Sequence, residues 1–289
     1  MPTSPEGIAE LYAKIAENES NRLTNHPMER ELTLRAIRQG LASSIDTATS
    51  TKRIADVGGG PGKLAFALAD EGHHVDLVDL SPDLIYLAKT EQDERASVGN
   101  KSLLASITVG NALDMPMLPE GSYDAVLLLG PLYHLLDEAE RKKAIENACY
   151  LAKPRSGLVF CAFISIEAHL RDIAMRDPAR IVEKKDFYTR YLADGRYQKL
   201  NESLTAGVQS FHTHSGDIRS FYARYFTDTF DFIELRSTEG ILGGGLDAKL
   251  VDASSEIVQA WADLLFEKYS TNEEHLGCAD HLLAVFRRK

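Results

Sequence analysis

Between residues 53 and 81 the chain reads RIADVGGGPGKLAFALADEGHHVDLVDLS, and no other stretch limits the fold as tightly. Residues 54–57 are an apolar run too short for a helix, and Gly58, Gly59, Gly60, Pro61 and Gly62 end it at once. From Lys63 the spacing changes: Leu64, Ala65, Leu68 and Ala69 recur with helical period until Gly72. Val75, Leu77 and Val78 then form a second apolar strand that ends on Asp79. The stretch predicts a β-α-β unit whose first turn is almost devoid of side chains. Glycines let a ligand approach main-chain atoms closely, and the N–H groups that open a helix favour a carboxylate or phosphate. Asp79 stands at the carboxyl end of the second strand, where a ribose diol would be held. The expected ligand is a nucleoside with a polar or anionic extension.

The spacing of the glycines narrows that ligand. Counted from Gly58, the dinucleotide fingerprint G-x-G-x-x-G needs a glycine at position 63, which is Lys63. The pattern that fits is D-x-G-x-G-x-G, as Asp56, Gly58, Gly60 and Gly62. On this motif the chain resembles the class I S-adenosylmethionine (SAM) methyltransferases. On these residues alone, an NAD site and a glycine turn without ligand remain the alternatives.

The resemblance implies a Rossmann-like seven-stranded α/β sheet with a helical cap. It implies SAM as cofactor and S-adenosylhomocysteine (SAH) as product. Asp56, Gly58, Gly60 and Gly62 then line the methionine and ribose side, and Asp79 takes the ribose hydroxyls. Leu80, Asn111 and Ala112 surround the adenine, and Leu129 and Gly130 offer main chain near the methionine amine. The family carries an acidic residue where this chain has Asn111, whose side-chain carbonyl still accepts from the adenine amine.

Apolar runs at 107–109, 123–129 and 158–164 predict the third, fourth and fifth strands, and runs at 230–236 and 281–288 the last two. Ser81-Pro82 predicts the start of a helix over 83–92, with further helices over 138–151 and 252–269. The fourth strand ends in Gly130-Pro131-Leu132-Tyr133-His134-Leu135, at the sheet edge where ligands of such folds lie. This GPLYHL tip is similar to one subgroup of bacterial-type methyltransferases, which includes the enzyme that N-methylates the amino terminus of the plantazolicin peptide. Asn25-His26-Pro27, Phe163-Ile164-Ser165 and residues 281–285 agree with it.

One domain over 1–289 is expected, in four parts: a helical cap (1–50), the cofactor core (51–165), a lid insertion (166–227) and the C-terminal strands and helix (228–289). Cap segments in the family often close over the cofactor, so Tyr12, Arg22 and Glu31 are expected to face it, unless they are solvated residues of surface helices. Phe187, Tyr188, Tyr191, Tyr197 and Phe211 of the insertion suit either an acceptor pocket or a small core of the lid itself.

Tyr133 and His134 are the catalytic candidates, and with His212 and His214 the candidates for holding substrate. His134 would serve as general base or only orient the acceptor; a base is needed when the acceptor is a hydroxyl. The H-T-H pair at 212–214 lacks further ligands at zinc spacing, so no metal is expected. No G-x-S-x-G elbow marks a hydrolase.

The formal charge of −11 argues against nucleic acid as partner, and the acceptor is expected to be a small molecule. A peptide amino terminus is the alternative, and a SAM-binding module without catalysis is the alternative of another class. The three scattered cysteines and the lack of a long apolar run point to a reduced, cytoplasmic setting without membrane contact. The sequence is silent on oligomeric state.

Overall fold

Residues covered on both faces of a sheet need no polar alternation, and the strands form where the apolar runs lie. In the computed structural model, which describes residues 23–43, 50–199 and 208–289, five strands run parallel. They are β1 (Arg53–Val57), β2 (His74–Asp79), β3 (Ser106–Val109), β4 (Ala125–Leu128) and β5 (Leu158–Ser165), in the order β3-β2-β1-β4-β5. The last strand, β9 (His281–Arg288), lies antiparallel along β5, and β8 (Phe230–Ser237) antiparallel along β9. This is the seven-stranded α/β sheet expected, with the final strand inserted beside the fifth.

The two faces of the sheet are read off β4. Val126 and Leu128 pack with Ile145 and Ala148 of the helix α4 (Glu138–Leu151). Ala125 and Leu127 face the other way, against Ile37 of α1 (Pro27–Ala42) and Leu68 of α2 (Lys63–Asp70). The third helix, α3 (Pro82–Ser97), is a turn and a half longer than the expected 83–92 and carries the expected Ser81 cap, whose side chain accepts from Leu84 N–H.

The insertion is more than a helical lid. After α5 (Ile166–Arg176), α6 (Arg180–Glu183) and α7 (Lys185–Asp194) comes a hairpin of β6 (Arg196–Lys199) and β7 (Val208–Thr213), then α8 (Ser215–Tyr225). β7 joins the sheet in parallel, pairing Ile164↔His212 and Ser165↔Thr213. Ile164 already pairs with His281 of β9 on its other edge. β7 therefore occupies the edge of β5 that β4 leaves when it stops at Leu128. Without it, the backbone groups at the tip of β5 would lack partners there.

The insertion's aromatics divide. Phe187, Tyr188, Tyr191 and Tyr197 stack among themselves and with His169, forming a small core of the insertion itself. Phe211 lies instead over Arg141 of α4, 3.5 Å from guanidinium carbon to ring centre.

The C-terminal helix α9 (Ser255–Lys268) closes onto α1, where Met28 and Leu32 meet Ala262 and Leu265. Glu31 belongs to that contact: it accepts from Gln259 Nε2 at 3.0 Å and does not line the cavity at the sheet's edge. Tyr12 and Arg22 lie outside the described residues.

Candidate active site

The site grows from the turn after β1. Gly58 adopts φ +74° and donates its N–H to Val78 O at 2.7 Å, which folds the chain back over the end of β2. A β-carbon at Gly58 would stand 2.5 Å from Pro131 Cδ, and one at Gly130 would stand 2.9 Å from Gly58 O. The tips of β1 and β4 thus interlock through absent side chains. Gly62, the left-handed residue capping α2, departs from the expectation. It lies against Leu77 and Phe66 and serves helix-to-sheet packing, not the wall of the cavity.

Asp79 ties the turn to the strand end. Its Oδ2 accepts from Gly60 N–H and its Oδ1 from Ser81 N–H, both at 2.8 Å. Each carboxylate oxygen can accept more than one hydrogen bond, so the group remains suited to a diol while it orders the loop.

A cavity opens between these tips. Asp56, Gly58, Gly60, Asp79 and Leu80 line it at the ends of β1 and β2, flanked by Asn111 and Ala112 beyond β3 and by Leu129 and Gly130 beyond β4. The sequence reading missed Leu23, Pro61, Lys63 and Leu84, which also line it. Lys63 had served only to exclude a dinucleotide. Its place in the first turn of α2, directly after the glycines, was the available signal.

Asn111 lines the cavity as expected of its place beyond β3, and it has a second engagement. Its side-chain oxygen accepts from Leu113 N–H at 2.9 Å and so shapes its own loop, as a short polar side chain at a turn commonly does.

Asp56 is the electrostatic centre. Only 1% of it is exposed, and its Oδ2 is sealed from solvent without a hydrogen-bond partner among the described residues. Burial first, and the negative charge of Asp79 second, push its carboxyl up to about 7. A buried acceptor without a donor is costly, and a cation placed beside it removes that cost.

Tyr133 and His134 both line the cavity from the 3-10 turn Pro131–Tyr133, their rings 4.7 Å apart. His212 and His214 do not join them. They line a second cavity, between α4 and the β6–β7 hairpin. His212 Nδ1 meets the Tyr191 hydroxyl and its Nε2 the Ser210 hydroxyl, each at 2.8 Å, and burial pushes the ring down to about 3. Both nitrogens being held, His212 acts as a structural group. His214 sits at the rim with Nδ1 2.8 Å from Glu167.

One cluster has ligand-like composition that the dispersed sequence positions hid: Glu29, Glu239 and His281 present atoms within 4.8 Å of one another. His281 Nδ1 is 2.7 Å from Glu239 Oε1, and Glu239 Oε2 accepts the N–H groups of Asp280 and His281. Both oxygens of Glu239 are thus engaged in holding the start of β9.

Residues 54–155 match a family model described as a methyltransferase domain. Over that segment the chain is similar to methyltransferase domains, and the sheet described above has the fold of the class I, SAM-dependent methyltransferases. Among curated proteins the chain is similar to the ubiquinone biosynthesis O-methyltransferase of Xylella fastidiosa strain 9a5c, 32% identical over 168 residues, 58% of this chain. That alignment spans 61% of the relative's own length. The protein of the same description from strain M23 is 29% identical over 75% of this chain and 83% of its own length.

Two solved structures share the fold. Magnesium protoporphyrin IX methyltransferase from Synechocystis, solved with bound SAH, covers 99% of each chain with TM-score 0.57 at 13% identity. A SAM-dependent methyltransferase from Methanosarcina mazei covers 83% of this chain and 93% of its own, with TM-score 0.54 at 16% identity.

The residues present fit SAM. The unpartnered Asp56 oxygen suits the methionine ammonium, Asp79 suits the ribose diol, and at Gly60 a β-carbon would meet nothing nearer than Leu84 at 3.7 Å. No described helix is long and apolar enough to cross a membrane.

Proposed function

We propose that the chain methylates an oxygen of a small-molecule acceptor, held at the GPLYHL tip beneath a lid supplied by the described part of the insertion after β5. The observation that carries this reading is the placement of Tyr133 and His134 in the same cavity as Asp56 and Asp79. The similarity to curated O-methyltransferases supports oxygen as the atom methylated.

When bound, SAM supplies a methyl group on a sulfonium, already activated for in-line displacement. Asp56, Asp79 and the main chain of Leu129 and Gly130 would hold it. Tyr133 packs on the acceptor and keeps water away. His134 would take the proton that the acceptor hydroxyl loses on methylation. The subgroup resemblance, carried by the GPLYHL tip and the segments that agree with it, favours an amine at a peptide terminus, and an amine would need no such base.

Methyl transfer from labelled SAM to a panel of catechols and short peptides separates these readings. Transfer to a hydroxyl is expected, and His134→Gln should lower kcat by about 10²–10⁴-fold with SAH affinity retained. Transfer only to peptide amines would remove the oxygen assignment. SAH binding without transfer to any acceptor would favour a non-catalytic SAM-binding module. Asp79→Ala should weaken SAH binding by roughly two orders of magnitude through the lost charge-assisted hydrogen bonds.

A further inference from the structure

We infer that the cavity between α4, the tip of β5 and the β6–β7 hairpin is the acceptor subsite, and that it selects acceptors carrying an oxyanion. The inference rests on the methyltransferase reading and names the substrate class of that same site. The cavity has a volume of about 420 Å³, and among its mixed polar and apolar walls stand Phe163, Ile166, Phe211 and Phe221. Leu135 lines the cofactor cavity and Leu136 this one, so the two cavities adjoin at the segment that bears Tyr133 and His134.

Arg141, in the first turn of α4, supplies the selectivity. It is 5% exposed, and it lines the cavity. Its Nη1 donates to Leu135 O at 2.6 Å and to Leu136 O at 2.9 Å. Among the described residues no carboxylate lies within ion-pair distance of it. The other arginines of the cavity are already engaged: Arg196 with Asp137 at 3.3 Å, and Arg224 with Glu138 at 2.7 Å. Of the remaining acids on the wall, Asp194 accepts the Arg196 N–H, and Asp217 stands in the first turn of α8.

Nε and Nη2 of Arg141 make no hydrogen bond among the described residues, yet neither is sealed from solvent. Their open side is the cavity. Glu138, Asp137 and Glu140 act on the Arg141 charge only from beyond hydrogen-bond range; a buried cation without a directly paired carboxylate is expensive, and the guanidinium edge matches a carboxylate or phosphate in a bidentate pair. Phe211 on the guanidinium face fixes its plane. The acceptor is therefore an apolar or aromatic body with a carboxylate or a phosphate.

Calorimetric titration of the full chain saturated with SAH, using benzoate, phenyl phosphate and uncharged benzamide, tests this. One of the two anions should bind about tenfold or more tightly than benzamide, and which one does identifies the oxyanion. Arg141→Met should erase the difference while SAH affinity stays within about twofold, and Arg141→Lys should restore part of it because charge without the planar fork remains. Equal binding of anion and amide, binding of neither anion, or undiminished anion binding in Arg141→Met would overturn the assignment. The comparison of anion and amide in the unaltered chain decides even where Arg141→Met fails to fold. Failure of SAH itself to bind would remove the methyltransferase reading, a separate outcome.

Discussion

A single orphaned oxygen sets the chemistry of the cofactor cavity. Asp56 is sealed and sits near Asp79, so its carboxyl is held up at about 7 and is mostly protonated at pH 6. A ligand that brings an ammonium beside it lowers that value, so binding at pH 6 should release a proton. Titrating SAH in buffers of different ionisation enthalpy should show the release, and Asp56→Asn should abolish it; proton uptake, or no change, would place the ammonium elsewhere. The sign for stability is the reverse of a paired carboxylate. With a folded value above the usual one of 3.8, Asp56 taken alone contributes less stability to the ligand-free protein as pH rises from about 4 to 7, opposite in sign to the larger combined contribution of His169 and His212.

At the scale of elements, the interlock between the ends of β1 and β4 creates the cavity's floor. Gly58→Ala would put a methyl group onto Pro131 and force an alanine to φ +74°. The two effects together should cost roughly 2–4 kcal/mol, read as a lower urea midpoint with unchanged slope. Cofactor affinity should fall as well, because Gly58, Pro131 and Gly130 line the same space. A mutant of unchanged stability would mean the two tips are not in contact in solution.

For the whole molecule, the insertion that pairs with β5 through β7 buries two polar groups: His169 against the Tyr188 hydroxyl, and His212 between the Tyr191 and Ser210 hydroxyls. Burial is the leading cause that pushes His169 down to about 4 and His212 to about 3. The unfolded chain takes up protons from about pH 6.5 downward, whereas these folded histidines stay neutral until the lower values. Stability should therefore decline as pH falls from about 6.5 toward 4. Melting temperatures at pH 7, 6 and 5 should show the decline, and His169→Gln, neutral throughout, should flatten it. A profile identical to that of the parent chain would remove His169 from the effect.

What local sequence determined is the frame and much of the cofactor cavity. Short unbroken apolar runs bounded by turn residues suit strands covered on both faces, and a turn of glycines before a helix forms its geometry from its own torsion angles. Asp56, Gly58, Gly60 and Asp79 were legible for that reason, and Asn111, Ala112, Leu129 and Gly130 by resemblance. Tertiary structure decided what depends on distant partners. Gly62 turned to packing because Leu77 and Phe66 fill its far side. His212 became a buried strand residue because the tip of β5 offered an unclaimed edge beyond β4. Arg141 reads in sequence as one more charge on a helix. Only the return of Phe211 across its face, 70 positions later in the chain, makes it a cation enclosed beside a cavity. Local torsion and hydrophobic period are written in neighbouring residues; burial, and with it charge state, belongs to contacts that the chain makes only when it has folded.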